Sequence, residues 1–491
     1  MNLPPNLENA FDALVQRAMQ AWDVPGLAAA LVLDDRVVFA RGYGIRALGQ
    51  PETVDEHTLF AIGSNTKAFT AAALGLLVEE GKLAWDDPVR QHLPWFRLHD
   101  PHATELITLR DLLCHRSGLG TWAGDMLLYS NFSSAEVGRR LRHIPPAFGF
   151  RAEFGYSNLM FITAGLVIEA ASGQSWDDFV RSRLFEPLGM AESVTNPGLF
   201  SPQARVAAPH ELVHGTLQPL PYRPDFNAGA AGAICASAAD ITRWLRLQLN
   251  DGSLDGRAIL SPATLAETHT PHTPIRLSER ERLLFPSRHF AAYGLGWFLS
   301  DLHGRLTVRH TGGVDGMLSS ILLVPEDRIG IAVFSNKLPN AAFSLLPNAL
   351  LEMIYGLPAR DWVQTLLELE GQDQQKERQA EQRRLDARIP NTQPALPLAA
   401  YTGRYANPLL GSARLRLEAG GLRLQLEAHP DLSATLEHWH YDTFCCTWDN
   451  PVLGQSWIPF ISDGQGRTAE FRVKIREDWI DPLEHRFTKI S

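Results

Sequence analysis

Cysteine is close to absent from this chain: four occur in 491 residues, as Cys114, Cys235 and the adjacent pair Cys445-Cys446. That pattern is neither a disulfide framework nor a zinc ligand set, and it suits a reducing compartment. Lysine is scarce as well, and no basic run stands out. With a net charge of −10 and a pI near 5.9, the chain lacks the basic face that a nucleic-acid partner needs. No stretch approaches the roughly 18–20 apolar residues of a membrane span. The opening residues Met1 to Asn6 carry neither a charged n-region nor an apolar h-region, and an amphipathic helix follows directly. The reading is a cytoplasmic protein with no nucleic-acid and no membrane partner.

What is present is globular. The chain is 45% hydrophobic and 20% charged, enough to bury a sizeable core, and its length calls for two or three domains. Leu7, Ala10, Phe11, Leu14, Val15 and Ala18 form one apolar stripe at helical spacing. Gly26 to Leu33 and Arg36 to Tyr43 read as a hairpin turning at Asp34-Asp35. Apolar runs recur at 306–310, 318–324 and 329–335. Between these groups the pattern is mostly helical, with Ala68 to Glu80 stopping at Gly81 and Ser237 capping a helix through Trp244 and Leu249. Strands from both ends around a helical middle imply one sheet with an inserted helical subdomain. From about Gln372 to Arg388 the composition turns polar, and Pro390, Pro394 and Pro397 follow, as in a helical linker. Beyond it Leu415 and Leu417 alternate with arginines, Gly420-Gly421 turns, and Leu422, Leu424 and Leu426 alternate back. That is a hairpin of a small all-β barrel or sandwich.

Three short motifs carry chemistry. Ser64-Asn65-Thr66-Lys67 is the only Ser-x-x-Lys in the chain. At a helix start, residues i and i+3 share a face, so an amine can reach the hydroxyl and activate it. The helix N-terminus also favours an oxyanion forming there. Tyr156-Ser157-Asn158 offers a phenol to act as base toward a serine and an amide to hold a substrate carbonyl. His310-Thr311-Gly312-Gly313 ends a strand; its glycines let a substrate backbone lie along the edge, and the Gly313 N–H is a second oxyanion donor. His310 would place a hydrogen bond or partial charge near Tyr156. Singly, each is ordinary: a capped helix with a surface lysine, a packing tyrosine, a structural strand histidine.

Together and in this order they resemble the serine β-lactamase and penicillin-binding-protein superfamily, on its class C-like branch of esterases and D-stereospecific peptidases. The stretches Ile107 to Leu119, Pro187-Leu188-Gly189-Met190 and Tyr293-Gly294-Leu295-Gly296-Trp297 are similar too. The likeness covers about Leu7 to Gly356, and the C-terminal part resembles the lipocalin-like domain appended to some members. It implies an α+β fold, a β-lactamase-like antiparallel sheet flanked by helices with an inserted helical subdomain, followed by a small C-terminal all-β barrel. The expected division is 1–370 hydrolase domain, 371–396 polar helical linker and 397–491 lipocalin-like barrel. The implied roles are catalytic for Ser64, Lys67 and Tyr156, an oxyanion hole from Ser64 and Gly313, and substrate binding by Asn158, His310, Thr311 and Gly312. No metal and no cofactor are implied. The partner would be a small ester, amide or short-peptide substrate with D-residues, and homo-oligomers are possible for this class. One departure counts: class C β-lactamases carry lysine where this chain has His310, which argues against strong antibiotic hydrolysis.

Other readings have specific carriers. His210-Glu211-Leu212-Val213-His214 matches a zinc-protease pattern, but Pro209 before it and Gly215 after it point to a turn or strand-edge loop, not a long helix. A weak β-lactamase or DD-peptidase is the alternative within the class, and a catalytically silent binding or scaffold protein is the alternative outside it. The aromatic-rich C-terminal segment, with Trp439, Phe444, Trp448, Trp457 and Trp479, reads as barrel packing, or as a loop that reaches the active-site mouth and limits substrate length.

Overall fold

In the computed structural model, residues 3–223, 227–418, 421–475 and 480–491 are described. The N-terminal apolar stripe forms a helix, Leu7–Ala21 (α1), with Leu7, Phe11, Val15 and Ala18 buried. The expected hairpin follows as Gly26–Leu33 (β1) and Arg36–Gly44 (β2). Its turn residues Asp34 and Asp35 both take positive φ, 48° and 64°, as the right-handed twist of a tight hairpin demands.

Six later strands complete the sheet: Thr273–Ile275 (β3), Ala291–Tyr293 (β4), Phe298–Leu302 (β5), Arg305–Val314 (β6), Met317–Val324 (β7) and Ile329–Ser335 (β8). Their order is β2-β1-β8-β7-β6-β5-β4-β3, antiparallel throughout. The two ends of the segment thus share one sheet, and the helical subdomain is inserted between them. β1 is buried along its whole length and divides by parity, as strand geometry requires. Leu27, Ala29, Leu31 and Leu33 join α1 and the helix Ala342–Ile354 in one core, while Ala28, Ala30 and Val32 join Phe69 and Trp244 in the other.

The polar stretch lies in a helix, Trp362–Asp386, that begins earlier than the change of composition because Trp362, Val363 and Leu366 are buried against the first core. Eight strands from Gly403–Asn407 to Glu484–Lys489 then form a closed barrel, each paired with the next in sequence. The Leu415↔Leu424 and Leu417↔Leu422 pairs are those of the expected hairpin; Gly420 of its turn lies outside the described residues, as does Trp479. Phe444 and Trp448 are buried in the barrel. Trp457 and Trp439 instead lie under Arg384 and Arg388, at 4.2 and 4.7 Å, which fastens the linker to the barrel wall. No helix among the described residues is long and apolar enough to cross a membrane.

The barrel also touches the inserted subdomain. Arg140 donates to the carbonyls of Pro408 and Leu409 at 3.0 and 2.8 Å. The Asn131 N–H donates to the Ala428 carbonyl at 2.8 Å.

Candidate active site

From Thr58 to Leu77 every residue is buried except Ser64. The chain leaves the short strand Phe60–Ala61, tightens through a 3₁₀ turn at Gly63–Asn65, and enters the helix Thr66–Glu79 (α2). The helix opens at Thr66, ahead of the alanine-rich run, and places Lys67 in its first turn. Two glycines permit the packing behind this turn. A Cβ on Gly312 of β6 would come within 1.9 Å of the Ile62 carbonyl oxygen, and one on Gly63 (φ +52°) within 2.7 Å of the Gly313 nitrogen. The backbone of β6 therefore lies directly against the turn that presents Ser64.

Lys67 is fully buried. Its Nζ donates to Ser64 Oγ at 2.8 Å, Asn158 Oδ1 at 2.7 Å and the Ala231 carbonyl at 2.7 Å. Burial lowers its pKa to about 7, with the Asp125 carboxylate pulling the other way. The Tyr156 hydroxyl also bonds Ser64, and burial holds that phenol protonated well above its usual range. Its ring sits under Lys67, with Nζ 4.8 Å from the centroid.

The segment after Gly155 is steadied by His115, a buried residue at φ +58°. The Ser157 N–H donates to His115 Nδ1 at 3.1 Å, which puts the ring proton on Nε2. Burial and the nearby Lys67 keep this histidine neutral. Asn158 opens the helix Asn158–Ser172 (α3). Its oxygen serves Lys67, and its Nδ2 donates to Asp125 Oδ2 at 2.6 Å. One amide N–H is therefore left for a substrate.

His310 differs from its expected use. Its Nδ1 donates to the Thr311 carbonyl at 2.6 Å and its Nε2 accepts from the Tyr293 hydroxyl at 2.8 Å. Both nitrogens are taken, so no hydrogen bond reaches Tyr156, whose ring centroid is 6.2 Å away. Burial, aided by Lys67, lowers the imidazole to about 3, leaving it uncharged. Thr311 and Gly313 lie on the part of β6 that runs past the end of β5 and faces the cleft. Gly312 does not offer itself to a substrate: it is buried and turned toward Ile62.

These groups open on a cleft of about 380 Å³ walled by Trp122, Phe154, Tyr156, Phe298, Val314 and Ile480. Ile480 comes from the barrel domain. The Trp122 wall is strained, with φ at +61°, a region that aromatic residues rarely occupy. Its N–H donates to the Tyr156 carbonyl at 2.8 Å. The barrel's Asp481 accepts from the Gly124 and Met126 N–H groups at 3.2 and 3.4 Å, holding the same segment from behind. Asp125, Asp481 and Ile480 went unread in the sequence, since no motif surrounds them and only the fold brings them to Lys67.

The His210-Glu211-Leu212-Val213-His214 stretch is a hairpin strand, His210–Val213, with His214 in the turn. His210 Nε2 accepts the Leu48 N–H at 3.0 Å, and Nδ1 donates to the Asn336 carbonyl at 2.8 Å. The ring is a buried strut between distant loops. His210→Ala is expected to destabilise the protein by about 1–3 kcal/mol, read as a lower urea midpoint; an unchanged midpoint would contradict the strut.

Comparison with known proteins gives three findings. A model of the family described as Beta-lactamase matches residues 11–352, and one described as a domain of unknown function, DUF3471, matches residues 387–487. An unguisins hydrolase of Aspergillus violaceofuscus is 29% identical over 481 residues, covering 90% of this chain and 83% of that protein. Among solved structures, the octameric penicillin-binding protein homologue of Pyrococcus abyssi superposes with a TM-score of 0.64 at 22% identity, over 98% of this chain and 99% of that one. The D-amino acid amidase of Ochrobactrum anthropi SV3, complexed with L-phenylalanine, superposes with a TM-score of 0.58 at 25% identity, over 72% and 98%.

Proposed function

This chain belongs to the β-lactamase family, and from that premise we propose that it is a serine hydrolase working through an acyl-enzyme on Ser64. The observation that carries the reading is the buried Lys67 amine, 2.8 Å from the hydroxyl of Ser64, the half-buried residue of its turn. An amine with a pKa near 7 has a large neutral fraction at physiological pH, which is what a general base needs. Neutral Lys67 takes the Ser64 proton as Oγ bonds to the substrate carbonyl carbon. The oxyanion so formed meets the backbone N–H groups of Ser64 and Gly313. The proton then passes, directly or through the Tyr156 hydroxyl, to the departing alcohol or amine as its bond to the carbonyl breaks. Water then gives a proton to the same base as its oxygen bonds to the acyl carbon; the Oγ–carbon bond breaks, Ser64 Oγ takes the proton back, and the acid leaves.

Small esters and amides or peptides bearing D-residues are the proposed substrates. The aromatic walls favour an apolar acyl group. A neutral His310 supplies no cation for a substrate carboxylate, which disfavours β-lactams. The name of one structural relative, a D-amino acid amidase, agrees with amide cleavage, and that of the unguisins hydrolase agrees with hydrolysis. A serine-directed fluorophosphonate tests the mechanism: the wild type should gain the phosphonyl mass on the peptide containing Ser64. An unlabelled protein would favour a binding or scaffold role.

The division into residues 1–370, 371–396 and 397–491 stands as part of the proposal, and the sequential eight-stranded closure supports a lipocalin-like reading of the last part. The four cysteines are free thiols, which supports a reducing, cytoplasmic setting. Ile480 gives the barrel a role in substrate length. Ile480→Ala is expected to raise kcat/KM for long over short acyl esters by about tenfold; an unchanged ratio would remove the barrel from substrate selection.

A further inference from the structure

The bonds around Lys67 close only when one more residue is counted. Asn158 touches Lys67 through its oxygen and Asp125 through its nitrogen, at 2.7 and 2.6 Å. The two ends of a carboxamide have nearly the same shape, so the neighbours decide which end faces where. Here the buried Asp125 Oδ2 accepts from Nδ2, which leaves Oδ1 for the amine. The reversed amide would set N–H against N–H at Lys67 and oxygen against oxygen at Asp125.

We propose that Asp125 is a positioning residue of the Ser64 site: it orients the Asn158 carboxamide, and Asn158 in turn holds Lys67 on the Ser64 hydroxyl. The proposal rests on the reading of Ser64 as nucleophile. A second observation explains why this carboxylate does not simply lock Lys67 as an ammonium. Asp125 is 4% exposed, and its Oδ1 is buried with no hydrogen-bond partner among the described residues. An ionised oxygen left in that state is costly. Burial, with the barrel's Asp481 carboxylate nearby, accordingly raises the group to about 8, against the Asn158 bond and Lys67. Asp125 and Lys67 thus titrate as a coupled pair near neutrality.

The other groups around the pair are accounted for. Tyr156 stays protonated, and His115 and His310 stay neutral. Asp481 is satisfied by the Gly124, Met126 and Leu483 N–H groups and by His485. Asp125 is the acidic group whose field raises Lys67.

The test compares wild type, Asp125→Asn, Asp125→Ala and Ser64→Ala on a short-chain p-nitrophenyl ester across pH, with melting curves to establish folding. Asp125→Ala is expected to lower kcat about 10–100-fold with KM nearly unchanged, since misplacing the amine by an ångström is enough. Asp125→Asn keeps an accepting oxygen for Asn158 and should retain kcat within about tenfold. Asp125, raised to about 8, is mostly protonated where Lys67 titrates, so the acid limb of kcat/KM should stay near pH 7 in both variants, and the recovery of kcat by Asn over Ala at constant KM is the decisive readout. Equal losses of kcat in Asp125→Asn and Asp125→Ala would reduce Asp125 to packing and overturn the proposal, as would two variants that behave like wild type. If Asp125→Ala does not fold, Asp125→Asn decides by its kcat: a loss well beyond about tenfold overturns the proposal. A dead Ser64→Ala beside unaffected Asp125 variants sinks this proposal alone, whereas an active Ser64→Ala sinks the nucleophile as well.

Discussion

Ser64→Ala should lower kcat for ester hydrolysis by at least about 10⁴-fold, the scale seen when an attacking hydroxyl is removed from a complete catalytic set. The protein itself should be little affected. Ser64 is the half-buried residue in an otherwise buried stretch, and among the described residues its Oγ bonds to the groups that would activate it, Lys67 and Tyr156. Removing Oγ takes one of three acceptors from Lys67 and leaves Asn158 Oδ1 and the Ala231 carbonyl in place. The turn is built by Gly63, Gly312 and the Asn65 side chain, which donates to Ser319 Oγ at 2.7 Å. A melting temperature near wild type, with activity gone, is the expected pair of results. A folded Ser64→Ala with activity within tenfold of wild type would remove the acyl-enzyme mechanism.

Lys67→Met should abolish activity and raise stability together. General-base catalysis contributes about 10²–10⁴-fold, so kcat should fall at least that far. The buried amine is costly to the fold: burial moves its pKa from 10.5 to about 7. Replacing buried charged groups by apolar ones of similar volume is often neutral or stabilising by about 1–4 kcal/mol, and functional sites commonly hold such reserves. The pH dependence has a definite sign. The neutral amine is the active form, so wild-type kcat/KM should rise as pH passes through about 7. Between about 7 and 10.5 the unfolded lysine binds a proton that the folded one has lost, so the Lys67 contribution to stability rises with pH there. Asp125 acts oppositely below about 8, because its folded-state pKa is raised from 3.8. The clean window is therefore about pH 8 to 10.5, where the wild type should gain stability relative to Lys67→Met as pH increases. A less stable Lys67→Met at pH 8, or equal slopes, would contradict the buried-base reading.

Much of the architecture was legible because it follows from local pattern. The helix of residues 7–21, the hairpin at Asp34-Asp35 and the strands at 305–335 are each announced by a period of 3.6 or 2 and by turn residues. That the His210 segment is no helix was equally local, since Pro209 and Gly215 leave no room for one; it was read as a turn or strand-edge loop and is a hairpin strand. Misreadings arose where a residue's partner lies far along the chain. His310 was expected beside Tyr156, but Tyr293 is the hydroxyl that reaches it. Gly312 was expected to admit a substrate, yet it admits the Ile62 carbonyl. Asn158 was expected to hold a substrate; what the sequence did not show is that it also bridges Lys67 and Asp125, keeping one N–H free for the cleft.

The sequence by itself determined which residue types could do chemistry here, because Ser-x-x-Lys at a helix start brings hydroxyl and amine together within a single turn. It also announced five of the sheet's eight strands and one hairpin of the barrel, which are written in nearest-neighbour periodicity; the three short strands between 273 and 302 are too brief to show a period. Only the tertiary structure decided the electrostatics of that serine and lysine. Lys67 is poised near neutrality because residues 125, 156, 158 and 231 close around it. The barrel adds the Ile480 wall and the Asp481 carboxylate behind Asp125. Desolvation depends on everything that surrounds a group, so no window of sequence around Lys67 contains it.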